Sequence, residues 1–354
     1  MIIKKTALLL IMAAIGGCGT HRKTDDLKTI RHESSNLSRS RASGFSLTSA
    51  PYVTQGIGDI SAAHIAVIRD IMATRAVRMH HYLWHTLRRG MDFLDTEELA
   101  FVTSLGWEPP SYSSRDDRAG EDFLYMHRLM IETLNQGFAS QGLDPIAGWS
   151  DIPGPDDQDY PFEQNGSYAS SQAGYDAIKK AELKFEDDEY LRTITLGRLG
   201  QEMESQIHNS LHNRWSQATL PDLGNNPKSP RVELTNEPPA DWIYDSPDYD
   251  YLGAPYGSQV HPIFWKLHGW IDLRMSQWLK ANNFQTIGFT DACVVEKSCY
   301  RWQGTWAGPG HQGSHHKMTS NNIFQTIQNK LKADPKIRPT VESLSEKLSR
   351  YSEF

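Results

Sequence analysis

Six histidines in four short stretches have the types and the spacing to do chemistry. They read His81-Tyr-Leu-Trp-His85, Phe123-Leu-Tyr-Met-His127-Arg128, His208-Asn-Ser-Leu-His212 and Phe264-Trp-Lys-Leu-His268-Gly-Trp-Ile-Asp272. Two of the stretches are H-x-x-x-H pairs, and each is followed several dozen residues later by one more histidine in an apolar, aromatic segment. Residues four apart lie on one face of a helix. Each pair can therefore grip one ion from a single helix, with the later histidine closing a three-imidazole site from another. Two such sites facing each other make a binuclear centre.

The donor type narrows the metal. Neutral imidazoles suit copper, zinc or iron, whereas carboxylate-rich helical bundles suit paired iron or manganese. No E-x-x-H stands at either pair, which argues against a di-iron bundle. Three imidazoles leave copper coordinatively open, able to cycle between oxidation states and to bind dioxygen between two ions.

These stretches resemble the type-3 copper proteins: tyrosinases, catechol oxidases and haemocyanins. The segment Pro262-Ile-Phe264-Trp265-Lys-Leu-His268-Gly-Trp-Ile-Asp272 with Trp278 is similar to the family's D-P-x-F-W-L-H-H-x-x-x-D motif. His208-Asn209-Ser-Leu-His212 resembles its H-N-x-x-H, and Phe123-Leu-Tyr-Met-His127-Arg128 its F-L-P-W-H-R. The resemblance covers roughly residues 70 to 280. It implies two copper ions, one on His81, His85 and His127 and the other on His208, His212 and His268. Asp272 would orient His268, and Phe264 would pack its ring against the site. It also implies oxidation of o-diphenols to quinones with dioxygen, and ortho-hydroxylation of monophenols. Asn209 matches the asparagine that, with a glutamate, orients a phenol-deprotonating water in tyrosinases. Glu204, four residues before His208, is the candidate carboxylate here, although the family's glutamate sits further upstream.

The departures are specific. His261 stands where the family usually has aspartate, and Leu267 replaces the first histidine of H-H. The usual middle ligand of the first copper falls at Arg118, with no histidine near; His85 fills the gap, as in haemocyanins. His80 competes with His81, but only His81 is four residues from His85. Two other readings stay open: a chain that binds dioxygen or copper without turnover, and a zinc hydrolase that leaves three histidines unexplained.

The elements that must position these residues read as mainly α: a helical bundle with the binuclear copper site in its core and long irregular loops. Apolar residues at helical spacing predict helices over 60–89, 121–135, 182–215 and 265–281, together carrying all six histidines. The Pro/Gly/Asp/Ser-rich stretch 142–171 and the Pro/Asp/Tyr-rich stretch 221–257 read as loops, the second roofing the site. Residues 319–354 read as a tail of one or two surface helices beyond a copper domain of 56–318.

At 354 residues and 38% hydrophobic, with ten tryptophans and fourteen tyrosines, the chain can bury one large core or two small ones. Its net charge of −7 makes nucleic acid an unsuitable partner. Lys4-Lys5, the apolar run Ala7 to Ile15 and Gly16-Gly17-Cys18 describe an export signal over residues 1–18, its apolar run too short to span a bilayer. Cys18 after small residues resembles a bacterial lipobox. It would carry lipid and hold the chain, through a Ser/Arg/Asp-rich tether over 19–55, on the periplasmic face of an outer membrane; the alternative is a plain cleaved signal. Cys18→Ser is expected to move the protein from the membrane to the soluble fraction or leave it unprocessed. Mass spectrometry showing cleavage beyond residue 18 without lipid would remove the anchor.

In an exported protein, Cys293 and Cys299, six apart, suit a disulfide closing a small loop. The Gly/His-rich stretch 304–318, with His311, His315 and His316, reads as a solvated loop, with copper loading as its functional alternative. The expected partners are dioxygen and a phenolic small molecule, such as a secreted metabolite, or a peptide tyrosine.

Overall fold

The computed structural model describes residues 60–110, 112–113, 116–160, 167–216, 223, 226–289, 293, 297–309 and 323–354, all within one compact unit. Cys18, the 19–55 tether and the histidines at 311, 315 and 316 lie outside the described residues. The protein is mainly α, with two three-residue strands among the described residues.

The first expected helix is two. α1 (Ala62–Met72) starts at Ser61, whose hydroxyl accepts from the His64 N–H. α2 (Arg75–Gly90) restarts at Thr74, whose hydroxyl accepts from Val77 N–H. Such caps satisfy amides that a helix leaves orphaned. An unexpected α3 (Thr96–Ser104) opens on an Asp95/Glu98 capping box. α4 (Ala119–Ser140) is longer than its pattern suggests.

The span 182–215 breaks into α5 (Gln172–Glu186), α6 (Asp188–Thr193), α7 (Leu196–Met203), a π-helical turn (Glu204–His208) and α8 (Asn209–Arg214). Asp187 and Thr195 cap the restarts with their side chains. α9 (Pro262–Ala281) begins at His261, whose ring accepts from Ile263 N–H. The imidazole thus does at this N-cap what a carboxylate usually does.

Strands β1 (Thr286–Gly288) and β2 (Cys299–Arg301) pair in parallel, Thr286 opposite Cys299. Cys293 and Cys299 are joined as a disulfide beside them. The first-turn carboxylates of α4 tie this region down: Glu121 accepts from Tyr300 OH and Gln303 N–H, and Asp122 from Trp306 N–H.

The last helices, α10 (Ile323–Ala333) and α11 (Arg338–Ser349), are not a separate surface tail. They bury Phe324, Ile327, Leu331, Val341, Leu344 and Leu348 in the common core, and α11 packs on α2 and α3. Apolar residues every three or four positions give each helix one face that must be covered. α4 crosses α7 so closely that a Cβ on Gly120 would meet Gly197 O at 1.9 Å. Only glycine permits that approach, and it fixes α4 relative to the π turn carrying His208.

Candidate metal centre

α2 presents His81 and His85, α4 His127, the π turn and α8 His208 and His212, and α9 His268. All six rings are buried, at 2% exposure or less. Their centroids lie close: His81–His85 4.7 Å, His85–His127 5.4 Å, His127–His268 4.3 Å, His208–His212 4.3 Å and His208–His268 5.1 Å. Two groups of three have their ring nitrogens within 4.8 Å of one another: His81/His85/His127 and His127/His208/His268. Each group can hold a metal ion. His127 belongs to both, and His212 stands just outside the second.

The six Nε2 atoms are buried without a hydrogen-bond partner among the described residues. Burying so many unpaired polar atoms is costly. The Nδ1 atoms show why the arrangement is ordered. His127 and His268, the histidines outside the pairs, each donate Nδ1–H to the carbonyl four residues back, Phe123 O and Phe264 O, both at 2.8 Å. Histidines 81 and 212 donate instead to the 246–257 loop, at Pro255 O and Leu252 O, both 2.7 Å. His208 Nδ1 meets Asn209 Oδ1 at 2.9 Å. A proton fixed on Nδ1 leaves the Nε2 lone pair facing the cluster, which is how metal-ligating histidines are held. His85 alone has both nitrogens unpaired.

The rings are neutral. Burial pushes His81 and His127 down to about 3 from the usual 6.5, with the charge His127 would carry adding to the shift at His81. Burial also holds His85, His208, His212 and His268 well below that value, their neighbouring histidines pushing the same way. Neutral imidazoles are ligands; imidazolium ions are not.

His80 turns away, its Nε2 meeting Ala307 O at 2.8 Å, so His81 is the residue in the cluster. Phe264 stacks on His268 at 3.8 Å. Two expected roles go elsewhere. Asp272 does not orient His268: it binds Arg128 at 2.7 Å, because the Phe264 carbonyl already takes the His268 proton and Arg128 offers a full charge. Glu204 is engaged by an arginine: Arg88 Nη1 donates to it at 2.5 Å.

Three residues matter that carried no sequence signal. Arg78, fully buried, donates to Ala73 O, Ser246 O, Tyr249 O and Tyr256 O. Its planar fork of donors pins the roof loop that supplies carbonyls to His81 and His212. Gln259 adds its Oε1 to His81 Nδ1 at 3.0 Å. Phe354 lays its ring 3.9 Å from His212, centroid to centroid.

No helix among the described residues is long and apolar enough to cross a membrane. A scan against protein-family models and a search of the curated proteins find no match for the chain.

Proposed function

We propose that this protein is a binuclear copper oxidoreductase of the tyrosinase and catechol oxidase kind, which oxidises phenols with dioxygen. The observation that carries the reading is the set of six buried, neutral imidazoles whose Nε2 atoms have no partner. Six imidazoles without a carboxylate donor suit copper better than iron, manganese or magnesium, and one zinc would leave half of them unsatisfied.

Paired copper, when bound, supplies the redox capacity to take electrons from a phenol and pass them to dioxygen. The chain's own residues do the rest. Backbone carbonyls of Phe123, Leu252, Pro255 and Phe264 keep the Nδ1 protons in place. Phe264, stacked on His268, keeps that side of the cluster dry. Asn209 holds His208 by its ring proton, and its amide N–H group is the candidate for orienting a water toward an incoming phenol. Glu204, engaged by Arg88, serves to brace α2 against the π turn.

Purified protein is expected to contain two coppers per chain by elemental mass spectrometry and to turn over a catechol. A second reading draws on Phe354, whose ring covers His212: a chain that binds dioxygen or copper without turnover. Two coppers with no phenol oxidation would favour it, and a single zinc would sink both.

Asn209→Ala separates bracing from water positioning. Losing the Nδ1 partner of a ligating histidine typically costs 10–100-fold in metal affinity, so copper occupancy is expected to fall, more so at low copper. At matched copper loading, a further loss confined to the monophenol, on the order of 10²-fold, would show that the amide also aids deprotonation of a group whose pKa is ordinarily about 10. Equal losses on monophenol and catechol would leave only the bracing role.

A further inference from the structure

Among the described residues, four aromatic side chains pack their rings against the six imidazoles: Phe123, Phe264, Phe354 and Trp84. Three are phenylalanines, whose plain benzene rings resist one-electron oxidation. Trp84, fully buried, is the readily oxidised ring of the set. It meets His85 edge-on at 4.7 Å and His127, which belongs to both groups of three, at 5.6 Å. Its indole N–H donates to Trp306 O at 3.1 Å, and its ring lies 5.9 Å from that of Trp306. Trp306 is partly exposed, and its own indole N–H donates to Glu108 O at 2.8 Å. Two indoles in series therefore lead from the imidazoles to solvent, each contact within the range of packed aromatic pairs.

We propose that Trp84 and Trp306 are an electron relay that gives the protein a second activity: peroxide-driven oxidation of one-electron donors that never enter the cluster. The proposal rests on the copper reading for the place where peroxide is reduced. Hydrogen peroxide takes up two electrons and two protons there and leaves as two waters, the protons coming from solvent. Each electron is drawn from Trp84, replaced from Trp306, and replaced there by a donor at the surface, of the class of reduced electron-transfer proteins. Two donors each lose one electron, and both indoles end the cycle unchanged. The surroundings give the relay a direction. A positive hole on Trp84 is wholly out of water, where charge is costly, whereas solvent reaches Trp306. The hole moves outward, away from the histidines, and the electron inward. The six imidazoles are exposed by 2% or less, so a macromolecular donor has no direct route to them.

Conservative substitutions separate an electronic role from a packing one. Trp84→Phe and Trp306→Phe keep an aromatic ring and lose the oxidisable indole. Trp306→Tyr loses the same indole N–H but keeps an oxidisable ring, so a packing role treats it like Trp306→Phe and a relay does not. Trp107 also lies 5.9 Å from Trp306, but its other contact is His80, outside the cluster. Trp107→Phe is therefore the control for a tryptophan lost beside the path.

The test uses copper-loaded full-length protein, hydrogen peroxide and ferrocytochrome c, a basic haem protein that the net charge of −7 attracts. Haem oxidation is followed by absorption, above the rate with peroxide alone. Wild type, Trp107→Phe and Trp306→Tyr are expected to oxidise the haem. Trp84→Phe and Trp306→Phe are expected to fall to the background while Trp306→Phe keeps its copper content. A second readout needs no turnover of donor. Peptide mass spectrometry after peroxide alone is expected to find oxidised Trp306 in the copper-loaded wild type, and to lose it in metal-free protein and in Trp84→Phe. Equal haem oxidation by wild type and Trp306→Phe, or no rescue by Trp306→Tyr, would overturn the relay and leave the copper reading standing. So would Trp306 oxidised alike with and without Trp84. Fewer than two coppers per chain in the wild type would instead overturn the copper reading, and the relay with it.

Discussion

His268→Ala is expected to take the protein from two coppers per chain to one, and to abolish with it the near-ultraviolet absorption that hydrogen peroxide or dioxygen raises in the intact protein. The Nε2 of His268 is one of three ring nitrogens within 4.8 Å of one another in its group, and its removal leaves that group two, with His212 standing just outside. Two imidazoles hold copper far more weakly than three, and a signal that needs both ions disappears when either is lost. His81→Ala is expected to behave alike for the other group. The internal control is His80→Ala, next along the chain, whose ring bonds Ala307 O outside the cluster. It should keep both coppers, at a stability cost of about 1–3 kcal/mol for the buried acceptor it leaves unsatisfied. Elemental analysis and absorption spectra of the three variants check the prediction. An unchanged copper content in His268→Ala would end the binuclear reading.

Acid is expected to unfold the metal-free protein far earlier than the loaded one. The six ring pKa values lie well below 6.5 in the fold, about 3 for His81 and His127. Between pH 6.5 and about 3 the unfolded chain therefore binds more protons than the folded one, so stability is complete above pH 6.5 and falls as the pH drops. At pH 5 each histidine that must stay neutral costs about 2 kcal/mol. His81 and His127 together give about 4 kcal/mol, and the other four push in the same direction, against a typical domain stability of about 5–15 kcal/mol. Metal bound at Nε2 competes with the proton and defers the loss. Circular dichroism from pH 8 to pH 3, with and without copper, measures both midpoints. Coincident midpoints near pH 3 would contradict the account.

The sequence by itself singled out the histidines that come together and the class of fold. H-x-x-x-H twice, and two later histidines each four residues after a phenylalanine, are local facts, because helical geometry puts such spacings on one face. The same local rule set the Nδ1 partners of His127 and His268, which lie in their own helices. The class, mainly α, follows from apolar periodicity that neighbours along the chain enforce. Helix breaks were less legible: Thr74, Asp187 and Thr195 end one helix and start the next by capping, a preference easily masked by an apolar pattern running through it.

Only the tertiary structure decided what the long-range contacts do. The choice of His81 over His80 depended on which side of α2 the other helices cover. The motif resemblance made Asp272 a partner of His268, and helical spacing made Glu204 a partner of His208, but Arg128 and Arg88 arrive from other helices with full charges and take them. The Nδ1 acceptors of His81 and His212 come from a loop about 174 and 40 residues away, held by the buried Arg78. Phe354 lies 142 residues beyond His212 and carries no motif at all. Pairings of that kind are set by how packed helices and loops meet in space, and a short-range pattern holds no record of them.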